Sequence, residues 1–106
     1  MVARLWMVSV QPGRIEEYRA FTRERFLPAY RGQAGLVAVF FVEREGACGT
    51  LSLWTDRTAI ESFYSSAGYQ ALAKRLLASG LLVGEASLQT LDVQGGEVTG
   101  DLEASL

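Results

Sequence analysis

The residues of this chain that are suited to binding or chemistry are one arginine and several aromatic side chains. Arg4 and Trp6 lie on the same side of a predicted first strand, and Tyr64 and Tyr69 lie on a predicted second helix. An indole can stack on a planar aromatic molecule, and a phenol can donate a hydrogen bond to a phenolate or a peroxide. An inward-facing Arg4 needs a carboxylate or an anionic ligand, because an unpaired buried charge is costly.

Each of these side chains also has a structural interpretation, which stays open at this point. Aromatic residues in strands and at helical spacing usually fill a core, so Trp6, Tyr64 and Tyr69 also fit as core residues with wet polar tips. A structural role is favoured for Trp54, and Arg4 is solvated if its strand lies at a sheet edge. An open cavity between Trp6 and the second helix favours ligand chemistry, whereas a filled one favours a non-enzyme.

The composition excludes several kinds of site. The 106 residues contain no His and no Asn, and Cys48 is the only cysteine. There is therefore no Ser-His or Cys-His nucleophile pair, no His-ligated zinc and no thiolate metal cluster. No phosphate-binding glycine loop for a flavin or a nicotinamide is present. We expect no metal and no cofactor, so that any acid–base chemistry comes from Asp, Glu, Tyr, Lys or the ligand.

Charge and hydropathy limit the partners and the compartment. Ten basic and twelve acidic residues are spread along the chain, so no basic surface for a nucleic acid is predicted. No apolar run approaches the roughly 20 residues that span a bilayer. A single Cys makes no intrachain disulfide, and the N-terminus lacks a secretory signal pattern. We expect a cytoplasmic protein with neither a nucleic-acid nor a membrane partner.

The clearest secondary-structure signal is the passage from strand to helix after Leu51. Asp56, or Thr58 one turn later, is a predicted N-cap for the second helix. Apolar residues spaced by three and four then form a stripe that includes Phe63. Gly68 is expected to break or bend this helix midway.

The remaining segments are assigned by the same patterns. A first helix is predicted from Arg14 to Leu27, where Pro28 ends or kinks it. Its inward-facing residues are predicted to be Ile15, Tyr18, Thr22 and Phe26, followed by Ala29. A phase change in the apolar pattern between Leu88 and Leu91 predicts a β-bulge or an exchange of partners in the last strand. The other strands are placed at Val2–Val10, Leu36–Arg44 and Cys48–Trp54, with the last strand at Leu82–Val93.

The order β-α-β-β-α-β predicts an α+β fold, the ferredoxin-like plait with an antiparallel sheet. Residues 1–93 are assigned to this single domain. Residues 94–106 are an acidic, Gly-rich tail with room for one extra edge strand.

The predicted sheet has an apolar face that the chain cannot cover. Two helices of about 10 Å diameter cover one face of a sheet whose four strands are about 4.8 Å apart. The second strand is nevertheless apolar on both sides, with Leu36, Ala38, Phe40 and Val42 on one side and Val37, Val39 and Phe41 on the other. We therefore expect a homodimer that pairs the open sheet faces.

These features resemble the antibiotic biosynthesis monooxygenase-like family, a branch of the dimeric α+β barrel superfamily. The resemblance covers Val2–Val93 and rests on the order of elements and on one strand-to-helix motif. The motif is Leu53-Trp54-Thr55-Asp56 followed by Ala59, Phe63, Ser66, Tyr69 and Gln70, with Pro12-Gly13 and Gly35 at the matching turns. The resemblance implies a dimeric α+β barrel.

The resemblance also implies a candidate activity and its residues. Haem-degrading members use an Asn, a Trp and a His, whose places are taken here by Trp6, Phe63 and Ala73, so haem degradation is not expected. Quinone-forming members oxidise an acidic polycyclic phenol with O₂ in a pocket between sheet and helices. The residues that stand in for theirs here are Arg4, Trp6, Trp54, Tyr64 and Tyr69, and together with Phe63 they are the candidate pocket residues. Two hypotheses remain: a cofactor-independent monooxygenase of a phenol or hydroquinone, and a non-catalytic homodimer that binds a small ligand or is structural.

Overall fold

The strands and helices follow one another in the order that the sequence predicts. The computed structural model describes residues 1–106. Its strands are β1 (Val2–Val10), β2 (Leu36–Arg44), β3 (Ala47–Trp54) and β4 (Leu82–Asp92). Between β1 and β2 lie α1 (Ile15–Phe21), a π-helical segment (Thr22–Phe26) and α2 (Leu27–Tyr30). Between β3 and β4 lie α3 (Arg57–Tyr64) and α4 (Ala67–Ala78).

The strands form one antiparallel sheet in the order β2-β3-β1-β4. This is the sheet of a ferredoxin-like plait, so the predicted α+β fold is confirmed. Arg4 lies opposite Ser52 on β3 and Thr90 on β4, and Trp6 lies opposite Thr50. Because β1 has a neighbour on each side, Arg4 does not lie at a sheet edge.

Both helical stretches pack on the same face of the sheet. Nine buried residues form the core there: Val10, Tyr18, Phe26, Tyr30, Cys48, Trp54, Phe63, Leu76 and Leu81. The other face carries partly exposed apolar side chains, among them Leu5, Met7, Phe40, Val42, Leu51 and Leu53. No element of the chain covers this second face, which we call the open face.

Two irregularities in the sheet differ from the predicted pattern. The register of β2 against β3 shifts between Leu36 and Ala38, so Leu36 packs against the core instead of sharing the open face with Ala38. The irregularity of β4 lies opposite Val8, between Val83 and Ser87, and not between Leu88 and Leu91 as the apolar pattern indicates. The one extra residue of β2 reverses the side-chain phase, whereas the two extra residues of β4 leave it unchanged. Side-chain alternation alone locates neither irregularity.

The helical stretch after β1 continues through Pro28 to Tyr30, so the predicted end at Leu27 is wrong. The amide of Leu27 donates to the carbonyl of Thr22, five residues earlier, which is the hydrogen bond of a π-helix. Pro28 then lies in the first turn of α2, where a missing amide hydrogen is tolerated.

The stretch after β3 is divided between α3 and α4 by two capping side chains. Asp56 is the N-cap of α3, as predicted, and its carboxylate accepts from the amide of Ala59 at 2.8 Å. The break lies at Ser65 and Ser66, not at Gly68, because the Ser66 hydroxyl caps α4 by accepting from the Tyr69 amide at 3.3 Å.

Residues 94–106 follow β4 without forming a strand. The only regular element in them is a 3-10 helix, Glu103–Ser105. The extra edge strand that the sequence allows is therefore absent from the single chain. No helix of the protein combines the length and the apolar character that crossing a membrane requires.

Gly35 joins the start of β2 to the start of α3 at very close range. Its carbonyl accepts from the amide of Thr55 at 2.8 Å, and its φ is +81°. A Cβ at this position would lie 2.5 Å from the Cβ of Ala59 and 2.8 Å from Oγ1 of Thr55. Gly32 has a similar φ of +74°, but a Cβ there would meet nothing within 4 Å.

We predict that Gly35→Ala destabilises the protein more than Gly32→Ala does. Both changes place a Cβ in the left-handed region, at a cost of about 1 to 2 kcal/mol. Gly35→Ala adds overpacking against the first turn of α3, at about 1 to 3 kcal/mol. Urea unfolding of the two variants measures the difference, and equal free energies of unfolding would contradict the close packing at Gly35.

Candidate functional site

A cavity of about 350 Å³ lies between the sheet and the helices. This volume falls within the range of small-molecule sites, about 300 to 1,000 Å³. The sheet contributes Arg4, Trp6, Val8, Thr50, Leu82, Gly84 and Ala86 to its wall. The helices contribute Tyr18, Thr22, Phe26 and Tyr30 from the first stretch and Tyr69, Ala73, Leu76 and Leu77 from α4.

The π-helical segment explains how four residues of the first stretch reach one wall. Tyr18, Thr22, Phe26 and Tyr30 are spaced by four, and all four are buried. In an α-helix each step of four overshoots a turn by about 40°, so the last residue would be rotated by about 120° from the first. A π-helix takes more residues per turn, which offsets this drift. The segment therefore keeps the whole row directed at the cavity.

The bulge of β4 leaves one side of the cavity open. Gly84 and Ala86 lie in the bulge, opposite Val8, and both are exposed. Gly84 has a φ of +70°, a conformation that favours glycine. Because neither residue carries a large side chain, this part of the wall gives access to solvent.

Arg4 is the only charged residue on the wall, and it makes no ion pair. Its guanidinium carbon lies 3.6 Å from the centre of the Tyr64 ring, a cation–π contact. The guanidinium also makes no hydrogen bond to the protein, although it carries five N–H donors. The cavity therefore presents a positive charge whose donors are free for a ligand.

Three hydroxyl groups on the wall likewise have no hydrogen-bond partner in the protein: those of Tyr18, Thr50 and Tyr69. Tyr18 is only 3% exposed. Every fully buried side-chain nitrogen or oxygen of the protein has a hydrogen-bond partner, so the unpaired hydroxyl of Tyr18 is itself not fully buried. The Tyr18 hydroxyl must therefore be satisfied from the cavity. Burial raises the pKa of Tyr18 and of Tyr69, so both phenols stay neutral and act as donors.

A chain of hydrogen bonds runs behind the wall. The indole N–H of Trp54 donates to Oγ of Ser52 at 2.9 Å. Oγ of Ser52 lies 3.3 Å from the hydroxyl of Tyr64, which lies 2.9 Å from the hydroxyl of Tyr30. Tyr30 is itself on the wall, and burial raises its pKa as well. This hydrogen-bond chain thus connects the buried centre of the sheet to the cavity.

The structure distributes the six predicted pocket residues over two layers. Arg4, Trp6 and Tyr69 lie on the wall. Trp54 and Phe63, which are 0% and 4% exposed, lie behind the wall in the core. Tyr64 does not line the cavity, but its ring contacts the guanidinium of Arg4.

The prediction missed the contribution of the first helical stretch, most importantly Tyr18 and Tyr30. Their regular spacing of four with Thr22 and Phe26 is a signal that the sequence contains. The sequence analysis predicts this row as inward-facing as far as Phe26 and continues it with Ala29 instead of Tyr30. Ala29 is only partly buried and does not line the cavity, whereas Tyr30 is buried and lines it.

The chain contains no group of three His, Cys, Asp or Glu residues arranged to hold a metal ion. Cys48 is fully buried beside the first helical stretch, and burial raises the pKa of its thiol. It therefore stays protonated and is unsuited to act as a nucleophile.

Comparison with known proteins finds similar solved structures. No family model and no curated protein matches the chain. A Nitrosomonas europaea protein of unknown function superposes with a TM-score of 0.76 at 16% identity, covering 94% of this chain and 95% of that one. An antibiotic biosynthesis monooxygenase has a TM-score of 0.74 at 16% identity, with 90% and 100% covered. SnoaB, a cofactor-independent oxygenase from Streptomyces nogalater, has a TM-score of 0.69 at 19% identity, with 90% and 94% covered.

These structures share nearly the full length of the chain but few of its residues, so the likeness is one of fold. Fold alone does not carry an activity or a substrate from one protein to another. The resemblance to the antibiotic biosynthesis monooxygenase-like family that the sequence predicts is therefore confirmed as a common fold.

Proposed function

We propose that the cavity binds a flat aromatic compound with an anionic oxygen, and that the protein is a cofactor-independent monooxygenase of a phenol or hydroquinone. The observation that carries the proposal is the free guanidinium of Arg4 on an otherwise uncharged, largely apolar wall. Trp6, Phe26 and the leucines offer flat and apolar surface to a ring system. Arg4 offers planar donors to an oxygen anion.

The proposed reaction needs an electron-rich substrate, because the substrate itself must reduce O₂. Loss of a proton converts the phenol to a phenolate, which passes one electron to O₂. The resulting radical and superoxide combine at a ring carbon to give a peroxide. Loss of water from this peroxide leaves a quinone, so one oxygen atom enters the product and the other leaves as water. The protein contributes binding, desolvation and stabilisation of the anion.

In this proposal Arg4 stabilises the ionised form of the substrate. A positive charge beside the phenol oxygen favours the ionised form and lowers the pKa of the bound substrate. No Asp, Glu or His lies on the wall, and the tyrosines there are neutral. The proton is therefore lost to solvent through the open side at Gly84 and Ala86. The neutral phenols of Tyr18 and Tyr69 supply donors for the developing peroxide.

The second candidate is a non-catalytic binding protein with the same ligand class. The specific observation in its favour is that the wall carries no carboxylate or imidazole to act as a base. Binding would then occur without turnover. The two candidates differ in oxygen consumption and not in affinity.

We further propose a homodimer, joined through the open face to form a dimeric α+β barrel. Leu5, Phe40 and Leu51 form part of an apolar surface across β1, β2 and β3 that no other part of the chain covers. A second copy offers an identical apolar surface, which suits a two-fold symmetric contact. The cytoplasm remains the compartment we expect.

Arg4→Gln is expected to weaken the binding of 1-naphthol about 10- to 100-fold at pH 9, where the ligand is partly ionised. One charge-assisted hydrogen bond contributes about 1.5 to 3 kcal/mol, which corresponds to this loss. Arg75→Gln on α4 is the control, since Arg75 is exposed, makes no ion pair and lies off the wall. Calorimetric titration measures the affinities, and equal affinity in wild type and Arg4→Gln would remove the basis for the proposed ligand.

Oxygen uptake with a panel of dihydroxynaphthalenes and anthrones tests turnover. The wild type is expected to consume one O₂ for each quinone formed, with one ¹⁸O atom incorporated from ¹⁸O₂. Trp6→Ala and Arg4→Gln should each slow uptake at least tenfold, because they remove the stacking surface and the anion partner. Tight binding without uptake above the buffer rate would identify the protein as the non-catalytic binder.

The dimer is tested by light scattering at micromolar concentration, which should report twice the mass of one chain. Phe40→Glu places a charge on the open face and should give a folded monomer. Val98→Glu is the matched control, because Val98 is exposed in the tail, and it should remain dimeric. A monomeric, soluble wild type would contradict the dimer proposal.

A further inference from the structure

The hydrogen-bond chain behind the wall has a direction, which follows from counting donors and acceptors. The indole nitrogen of Trp54 only donates, so Oγ of Ser52 accepts from it. Ser52 is 0% exposed, and the only acceptor within reach of its own hydroxyl hydrogen is the oxygen of Tyr64, at 3.3 Å. A buried hydroxyl without an acceptor is unfavourable. Ser52 therefore donates to Tyr64.

The same count of donors and acceptors gives the direction of the hydrogen bonds from Tyr64 to Tyr30 and from Tyr30 to the cavity. The oxygen of Tyr30 lies 2.9 Å from that of Tyr64 and is the only other group bonded to it. Since Tyr64 accepts from Ser52, its own hydrogen goes to Tyr30. Tyr30 is 2% exposed and has no further hydrogen-bond partner in the protein. Its hydrogen is left with the cavity, which Tyr30 lines.

We infer that Tyr30 is a directed hydrogen-bond donor to the ligand, and that the ligand therefore carries a second oxygen, an acceptor, apart from the anionic oxygen held by Arg4. This inference rests on the proposed ligand site and narrows its substrate class. Aromatic compounds with two oxygen groups, such as hydroquinones, their ethers and hydroxy-ketones, satisfy both donors. A simple phenol has one oxygen, which pairs with Arg4 and leaves the Tyr30 hydroxyl without an acceptor.

The two donors belong to one site. The Arg4 guanidinium stacks on the ring of the same Tyr64 whose hydroxyl bonds to Tyr30. Its charge acts on Tyr30, slightly opposing the rise in the pKa of that phenol that burial causes. Tyr64 thus positions both groups, through its ring face and its hydroxyl, while remaining off the wall itself.

The test uses 1-naphthols with a methoxy group at each open ring position, each paired with the ethyl analogue. Methoxy and ethyl groups have nearly the same shape, but only methoxy accepts a hydrogen bond. For at least one pair, the wild type should bind the methoxy compound about 3- to 10-fold more tightly, which is the effect of one neutral hydrogen bond. Tyr30→Phe should bind both members of that pair equally.

Thr58→Val is the control, because the Thr58 side chain is exposed on α3 and does not line the cavity. It should keep the methoxy preference. If no pair shows a preference that Tyr30→Phe abolishes, or if Tyr18→Phe, which removes another buried phenol of the wall, abolishes it instead, the inference is wrong. Arg4-dependent binding of 1-naphthol in the same experiment would leave the proposed function standing. Absence of any naphthol binding would overturn both.

Discussion

The contact of Arg4 with the Tyr64 ring is the interaction on which the rest of the site depends. A guanidinium on the helix-covered face of a sheet loses hydration, and a carboxylate normally compensates for that loss. Here the compensation is the face of an aromatic ring at 3.6 Å together with the open cavity. This arrangement stabilises the cation without consuming its hydrogen-bond donors, so the charge remains available to a ligand.

The walls around this charge are made by departures from regular structure. The π-helical segment keeps Tyr18, Thr22, Phe26 and Tyr30 on one side of the first helical stretch. The bulge of β4 brings two small residues, Gly84 and Ala86, to the wall opposite Val8. Both departures are located at the cavity, and π-helical turns and β-bulges are frequent at functional sites. The wall between them is largely apolar, which suits the ring system that we propose as the ligand.

The parts of the fold that the sequence predicts are those determined by local patterns. Alternation, helical spacing and the Asp56 cap predict the order of elements, from which the sheet order follows. Tyr30 could not be placed in this way, because Pro28 indicates a helix end, whereas the helical stretch continues past it after the π-type hydrogen bond from Leu27 to Thr22. The sequence also does not show that Arg4 lacks an ion-pair partner, because this depends on which carboxylates lie near it in the folded chain. The division of the six candidates into wall and core depends in the same way on packing between distant segments.

The most direct test of the account is the ionisation of a bound phenol. 4-Nitro-1-naphthol suits this purpose because its anion absorbs visible light, so its pKa can be measured by titration of the complex. The pKa of the bound ligand is expected to lie at least one pH unit below that of the free ligand, because the Arg4 charge stabilises the anion. In Arg4→Gln the apolar walls should instead raise it above the free value. A pKa in the wild-type complex at or above that of the free ligand would contradict an anion site at Arg4.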